Sequence, residues 1–236
     1  MNIRLYHPDS ILENNTSLLS KEHTHYIVNV MRLKRGSNSN FFNKNGEWKS
    51  EIIFLNKDRV EVRFLEKIKE ANNLSKTELA ICLVKKIPMD NILQKATELG
   101  ISKIIPIISE RTEVKELNLD RAKKIVIEAT EQSNQLMPPN ISDVIKLKDF
   151  LLTFDENSKI LFADVNSKEN LKAEDLKNIN TCCILIGPEG DFSSAERELI
   201  LQNRAVKPFT LSRNILRSDT AVISAISLVN FINNFH

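Results

Sequence analysis

Two short stretches hold the residues best suited to chemistry, and each stands where an apolar run gives way to a helical pattern. Ile184-Leu185-Ile186-Gly187-Pro188-Glu189-Gly190-Asp191-Phe192-Ser193 places two glycines and two carboxylates between a strand end and a helix start. Ser193 and Glu196 have the spacing of a capping box, which fixes that start. The plainest account of the stretch is a tight turn whose glycines supply φ > 0. The second stretch is Leu211-Ser212-Arg213-Asn214-Ile215-Leu216-Arg217-Ser218-Asp219-Thr220-Ala221. Here Ser218 or Asp219 can cap the next helix, and Arg217 can pair with a carboxylate. Apolar Ile215 and Leu216 in a loop nevertheless call for a partner that buries them. Ligands of open α/β sheets bind outside the carboxyl ends of the strands, where both stretches lie. A third grouping, Arg32, Lys34 and Arg35 with Arg4 and His7 upstream, supplies the cations that a phosphate backbone requires, although a solvated charge run has the same composition.

Other chemistries are excluded. Neither GxGxxG nor GxxxxGK followed by Ser or Thr occurs, and the chain has only five glycines. That is about 2% of residues against a usual ~7%, too few for a phosphate-cradling glycine loop. Cys82, Cys182 and Cys183 lack the spacing of a zinc site, and an odd count is a poor disulfide framework, so they read as buried thiols in a reducing cytosol. None of His7, His23, His25 and His236 stands near the two loops, which removes a histidine-based nucleophilic triad. The richest apolar run, Ala221 to Ile232, is broken by Ser224, Ser227 and Asn230 and does not read as a membrane span. A cytoplasmic protein with no metal, membrane or DNA partner is expected.

The elements that must position the loops follow from periodicity. With 42% hydrophobic and 27% charged residues, the chain can bury the core of one large domain or of a medium and a small one. Residues 1–70 carry a net charge of +3 and residues 71–236 a net charge of −1, with the polar stretch Lys67 to Thr77 between them. In the first region Phe41-Phe42, an Asn45-Gly46 turn, Trp48 to Leu55, and alternating Val60, Val62 and Phe64 predict a small β-meander or barrel. One or two helical turns over His23 to Met31 precede it. In the second region strands at 79–84, 104–108, 160–163, 182–186 and 206–211 alternate with helices, which predicts a mainly parallel sheet covered on both faces. Asp90 is expected to cap the first of these helices and Gly100 to stop it. A longer helix presents Ala122, Ile125, Val126, Ala129 and Leu136 on one face, and Pro138-Pro139 closes it. Nine of the twelve residues from Ala221 to Ile232 are apolar, so the last helix is expected to be buried on nearly all sides, by the sheet and a second subunit.

Taken in order, Gln94-Lys95-Ala96-Thr97-Glu98-Leu99-Gly100 with Pro106, Ser109-Glu110-Arg111, Glu131-Gln132, Ile186 to Ser193, and Ile215-Leu216-Arg217 with Thr220-Ala221 resemble successive motifs of one family. It is the ribosomal RNA small subunit methyltransferase E family, of the SPOUT class. His25 to Arg32 with Gly36 resembles the start of its PUA-like barrel, and the resemblance covers essentially the whole chain. It implies an α/β fold: a SPOUT domain with a deep trefoil knot over 71–236, preceded by an RNA-binding PUA-like β-barrel over 1–70, and a homodimer through the knotted domain. It also implies S-adenosyl-L-methionine bound between the two loops. Leu185, Ile186, Gly187, Gly190, Leu211, Ser212, Asn214, Ile215, Leu216 and Thr220 would be the cofactor-binding residues, several of them through main-chain atoms. Arg4, Arg32, Lys34 and Arg35 would grip the RNA backbone. The chain departs from the family pattern at Asp191 and Ser212, where glycines are usual, at Asn214, which replaces an arginine, and at Gln135 and Met137, where arginines are common.

The implied reaction is methylation of a uridine N3 in the decoding region of 16S ribosomal RNA, within the small subunit. Arg217 is expected to stabilise charge on the uracil carbonyl oxygens, and Glu189 or Asp219 to take the N3 proton. Two other readings share these residues. One is a knotted methyltransferase acting on transfer RNA or on a ribose 2′-oxygen. The other is a catalytically idle RNA-binding ribosome-assembly factor, to which the Asp191 and Ser212 departures lend weight.

Overall fold

The computed structural model describes residues 3–71, 77–154, 158–177, 179 and 181–235, so much of the Lys67 to Thr77 stretch lies outside the described residues. The chain divides into two compact units, one of Met1–Asn73 with Thr130–Met137 and the other of Leu74–Ala129 with Pro138–His236. No helix among the described residues is long and apolar enough to cross a membrane.

The first unit is built on five strands: β1 (Arg4–Tyr6), β2 (Thr16–Leu18), β3 (Asn38–Asn43), β4 (Gly46–Leu55) and β5 (Val60–Glu70), in the order β1-β3-β4-β5-β2. β1 runs parallel to β3, and the other pairings are antiparallel. Helix α1 (Lys21–His25) and one π-helical turn, Tyr26–Val30, precede β3. Alternation points Val60, Val62 and Phe64 inward to meet Phe41, Trp48 and Ile52. The hairpin turn falls one residue earlier than its sequence suggests. Asn43 pairs with Gly46, so Lys44-Asn45 is the loop and Gly46 opens β4 at φ +131. A Cβ at Gly46 would lie 2.3 Å from the Lys69 carbonyl oxygen, and only glycine lets β5 come that close.

Arg4 works inside this unit rather than on its surface. Its guanidinium donates to the Glu47 carboxylate at 2.9 Å, to the Thr130 carbonyl at 3.0 Å and to the Gln135 carbonyl, and it lies 3.6 Å above the Phe42 ring. The Tyr6 N–H donates to the Glu131 carboxylate at 2.9 Å. These bonds fasten Thr130–Met137 to β1 and leave the Arg4 side chain no free edge for RNA phosphate.

The second unit is a parallel sheet of β6 (Thr77–Cys82), β7 (Lys103–Ile108), β8 (Asn140–Ile141), β9 (Ile145–Lys146), β10 (Ser158–Ala163), β11 (Thr181–Ile186) and β12 (Val206–Phe209). The order is β12-β10-β11-β6-β7-β8, with β9 also on β7, and every pairing is parallel. The helices are α2 (Lys86–Glu98), α3 (Leu119–Gln132), α4 (Leu147–Leu151), α5 (Ser194–Gln202) and α6 (Ser218–Phe235). The pleat divides each strand between two cores. Leu79, Ile81, Ile184 and Ile186 join Ile92 of α2, Val126 of α3 and Val222 of α6. Ala80, Cys82, Cys183 and Leu185 join Phe150 of α4 and Ile200 of α5. Both faces are covered, as the unbroken apolar runs require.

Three helices differ from their sequence signals. α2 starts ahead of Asp90 because Pro88 is tolerated in a first turn, where its missing N–H has no helical partner anyway. Asp90 pairs instead with Arg121 of α3 at 2.6 and 3.0 Å, which holds its carboxyl below the usual carboxylate range. Gly100, at φ +85, stops α2 as expected. α3 ends at Gln132, and Asn134 at φ +60 turns the chain, so buried Leu136 stands off the helix. Within the single chain α6 buries one face only, through Val222, Ala225, Ile226, Val229 and Ile232, and leaves Ile223 and Phe231 exposed.

The thiols give a direct check of this packing. Burial pushes Cys82 and Cys182 up to about 12, and Cys183 well above the ordinary value of 9. An unfolded chain ionises these thiols near pH 9 and the fold does not, so their stabilising contribution is complete below pH 9 and falls as pH rises toward 12. Native protein at pH 8.5 is expected to resist iodoacetamide at all three cysteines and to react at all three in urea; mass spectrometry showing fast native alkylation would refute the packing.

Candidate functional site

Because the sheet is parallel, β10, β11 and β12 end on the same side, and a cavity of about 340 Å³ opens there. Its walls come from residues 163–165 after β10, 186–191 after β11 and the 210–216 segment after β12, closed by Ser218 and Ala221 of α6.

The 186–191 wall is a turn held at both ends. The Asp191 N–H donates to the Pro188 carbonyl at 3.0 Å, and Asp191 itself takes φ +58. Short polar side chains tolerate that conformation best among non-glycine residues, and the Asp191 carboxylate also accepts the Phe192 N–H at 2.8 Å. The left-handed residue of the turn is thus Asp191 and neither of its glycines. Gly187 is needed for space: a Cβ there would stand 3.0 Å from the buried Phe192 ring, which packs on Phe162. Ser193 caps α5 through the Glu196 N–H at 3.2 Å, and the buried Glu196 carboxylate accepts the Ser193 N–H at 3.2 Å and the Glu110 N–H at 2.8 Å. Arg111 donates to the Gly190 carbonyl at 2.9 Å. Two residues just past β7 therefore brace the turn from outside.

The 210–216 wall is more open. The Ser212 hydroxyl accepts the Asn214 N–H at 3.0 Å, and Ser212 lies outside the left-handed region, so the position accommodates serine. Among the described residues, the N–H groups of Leu211, Ile215 and Leu216 have no acceptor, and the Ile215 side chain is 90% exposed. Open backbone donors beside an uncovered aliphatic side chain suit a flat heteroaromatic ligand recognised by its edge.

Of the residues singled out for a cofactor, Ile186, Gly187, Gly190, Leu211, Ser212, Asn214, Ile215 and Leu216 line this cavity. The Leu185 side chain instead packs in the core beside α4 and α5, and Thr220 is exposed on α6 outside the lining. Glu189 lines the cavity and is exposed. Arg217 and Asp219 follow the second wall without lining it; Arg217 is exposed, and the Asp219 carboxylate accepts the Thr220 N–H. Arg32, Lys34 and Arg35 are exposed on the first unit. Sequence reasoning missed residues 163–165, among them Asp164. This carboxylate, 1% exposed, lines the cavity and pairs with Arg197 of α5 at 2.7 Å, which pushes the Arg197 guanidinium up. Applying the strand-end rule to the run that stops at Ala163 would have found them.

Both parts of the chain have known relatives. A family model described as an RNA methyltransferase domain matches residues 69–230, and one described as an RNA methyltransferase PUA domain matches residues 19–65. Ribosomal RNA small subunit methyltransferase E of Rickettsia conorii is 35% identical over 98% of this chain and 96% of its own. The protein of that name from Bacillus subtilis is 30% identical over 94% and 92%. A crystal structure of the Neisseria gonorrhoeae protein of that name, bound to S-adenosyl methionine, superposes with a TM-score of 0.87 at 26% identity and covers 98% of both chains.

The turn at Asp191 is expected to depend on backbone conformation. Asp191→Gly should change stability by less than about 1 kcal/mol, whereas β-branched Asp191→Val should lose roughly 1–3 kcal/mol in urea unfolding. Equal losses would show that the carboxylate, and not the left-handed backbone, sets the turn.

Proposed function

Because the chain belongs to the ribosomal RNA small subunit methyltransferase E family, we propose that it methylates N3 of a uridine in the decoding region of 16S ribosomal RNA, using S-adenosylmethionine. The observation that carries the reading is the cavity at the ends of β10, β11 and β12, lined by most of the residues the family motifs single out. The cavity fits the cofactor: the walls at 186–191 and 210–216 offer open main-chain donors, apolar Ile215 and the carboxylates of Glu189 and Asp191. When bound there, S-adenosylmethionine supplies an electrophilic methyl group on a cationic sulfur.

The chain's own residues must then present N3 of an unpaired or flipped uridine to that methyl group. Positioning supplies much of the barrier reduction. Uracil N3–H is weakly acidic, so a base must take its proton, and Glu189 at the cavity and Asp219 at the start of α6 are the two candidates. Arg217, exposed between them in sequence, stabilises the negative charge that spreads onto the uracil carbonyl oxygens. Exposed Arg32, Lys34 and Arg35 hold RNA phosphates. A second copy of this chain covers Ile223 and Phe231 on α6 and forms the dimer, and a deep trefoil knot in the second unit belongs to the same reading.

Small subunits from a strain lacking the enzyme, incubated with the protein and S-adenosylmethionine, are expected to gain 3-methyluridine in 16S RNA, mapped by nuclease digestion and mass spectrometry. Methyl groups on transfer RNA or on ribose oxygens would replace this substrate assignment, and absence of cofactor binding by calorimetry would favour an idle RNA-binding factor. Arg217→Ala should leave cofactor affinity nearly unchanged and slow turnover at least about a hundredfold; unchanged turnover would remove Arg217 from the chemistry.

A further inference from the structure

The first unit holds a second cavity, of about 410 Å³, that methyl transfer leaves unused. It opens where β1 runs out beside the β3–β4 hairpin, and Tyr6, Ser10, Asn43, Lys44, Asn45 and Met137 are among its walls. Those walls are fixed from behind. The Tyr6 backbone is bonded to Glu131, its ring packs on Phe42 with centroids 5.7 Å apart, and the Arg4 guanidinium also packs on the Phe42 ring. Asn43 donates to the Asp9 carbonyl at 2.7 Å and accepts the Asn45 N–H at 2.9 Å, which ties the hairpin loop to the segment after β1.

The polar tips facing this cavity remain unused. Among the described residues, the Tyr6 and Ser10 hydroxyls, the Lys44 ammonium and the Asn45 side-chain amide have no hydrogen-bond or ion-pair partner. Burial and the nearby Asp9 carboxylate raise the Tyr6 hydroxyl above its ordinary value, so it stays a donor at neutral pH. A rigid aromatic wall, a thioether and unused polar side chains, with the Lys44 ammonium and the Asp9 carboxylate both in the lining, match a flat heterocycle with donors and acceptors on its edge. Single-stranded RNA presents that chemistry wherever a base is unstacked.

We propose that this cavity receives one unstacked nucleobase of the RNA substrate, other than the methylated uridine, and reads its identity. The proposal rests on the RNA-methyltransferase reading above. It gives the first unit a task that Arg32, Lys34 and Arg35 cannot perform, since phosphate contacts position RNA without reporting its sequence.

Anisotropy titrations of the full chain with labelled single-stranded hexamers of uridine, of adenosine and of cytidine test it. The wild type is expected to prefer one hexamer by about fivefold or more. Tyr6→Ala should weaken that hexamer roughly tenfold. Ser10→Ala combined with Asn45→Ala, both at exposed positions, should abolish the preference while thermal unfolding stays unchanged. Replacing Arg32, Lys34 and Arg35 by Ala should weaken all three hexamers alike. Equal wild-type affinities, or a preference that survives the Ser10 and Asn45 changes, would overturn the proposal while methylation and cofactor binding persist. A wild type that binds no hexamer and methylates no RNA would sink the underlying reading, and this proposal with it.

Discussion

One buried carboxylate decides how the chain leaves the centre of the parallel sheet. Glu196 accepts an N–H from Ser193 in its own first turn and another from Glu110, 86 residues away. Its position in the first turn also sets it against the positive end of α5. A charge so nearly enclosed is tolerable only because these donors satisfy it. With the start of α5 fixed, the chain from Gly187 must fold back on itself. Asp191 takes the left-handed conformation, Phe192 closes onto Gly187, and the Gly190 carbonyl turns outward to Arg111. The shape of one whole cavity wall descends from that single anchor.

Charge around the cavity is divided between groups that are spent and groups that are free. Asp164 is enclosed but neutralised by Arg197, and loss of that arginine would leave an uncompensated charge in the wall. Glu189 and Asp191 form no salt bridge among the described residues, although Arg197 lies near enough to Asp191 to feel its charge. A lining that carries Asp164, Glu189 and Asp191 and no lysine or arginine favours a positively charged ligand over a phosphate-rich one. That distinction agrees with the missing glycine-rich loop: a nucleotide pyrophosphate would need the opposite electrostatics.

What was legible in the chain was local. Ser193 and Glu196 announce their capping box because both partners lie within one helical turn. Leu79 to Cys82 and Cys182 to Ile186 announce buried strands because both faces of the sheet are covered. The contacts that escaped detection join residues far apart: Glu196 with Glu110, Arg111 with Gly190, and Arg4 with Thr130 and Gln135. Asp90 misleads because the same short carboxylate serves as a cap or as a partner for arginine, and only Pro88 ahead of it hints that the helix has already begun. Arg4 misleads in the same way, since cationic character says nothing about whether a guanidinium ends in solvent or over a phenyl ring. An apolar count does not say which faces of a helix its own chain covers, and α6 shows less internal burial than its composition suggests.

The strap of residues 130–137 also sets a timetable. The strands of the first unit are complete once about 70 residues have been made, yet the carbonyl partners of the Arg4 guanidinium and the Glu131 partner of the Tyr6 N–H are still unsynthesised. At a ribosomal pace of ~5–20 residues per second, residue 137 follows residue 73 after roughly 3–13 s. During that interval the nascent barrel carries a cation with only Glu47 and the Phe42 ring to answer it, and its final shape waits on a helix that the second unit begins.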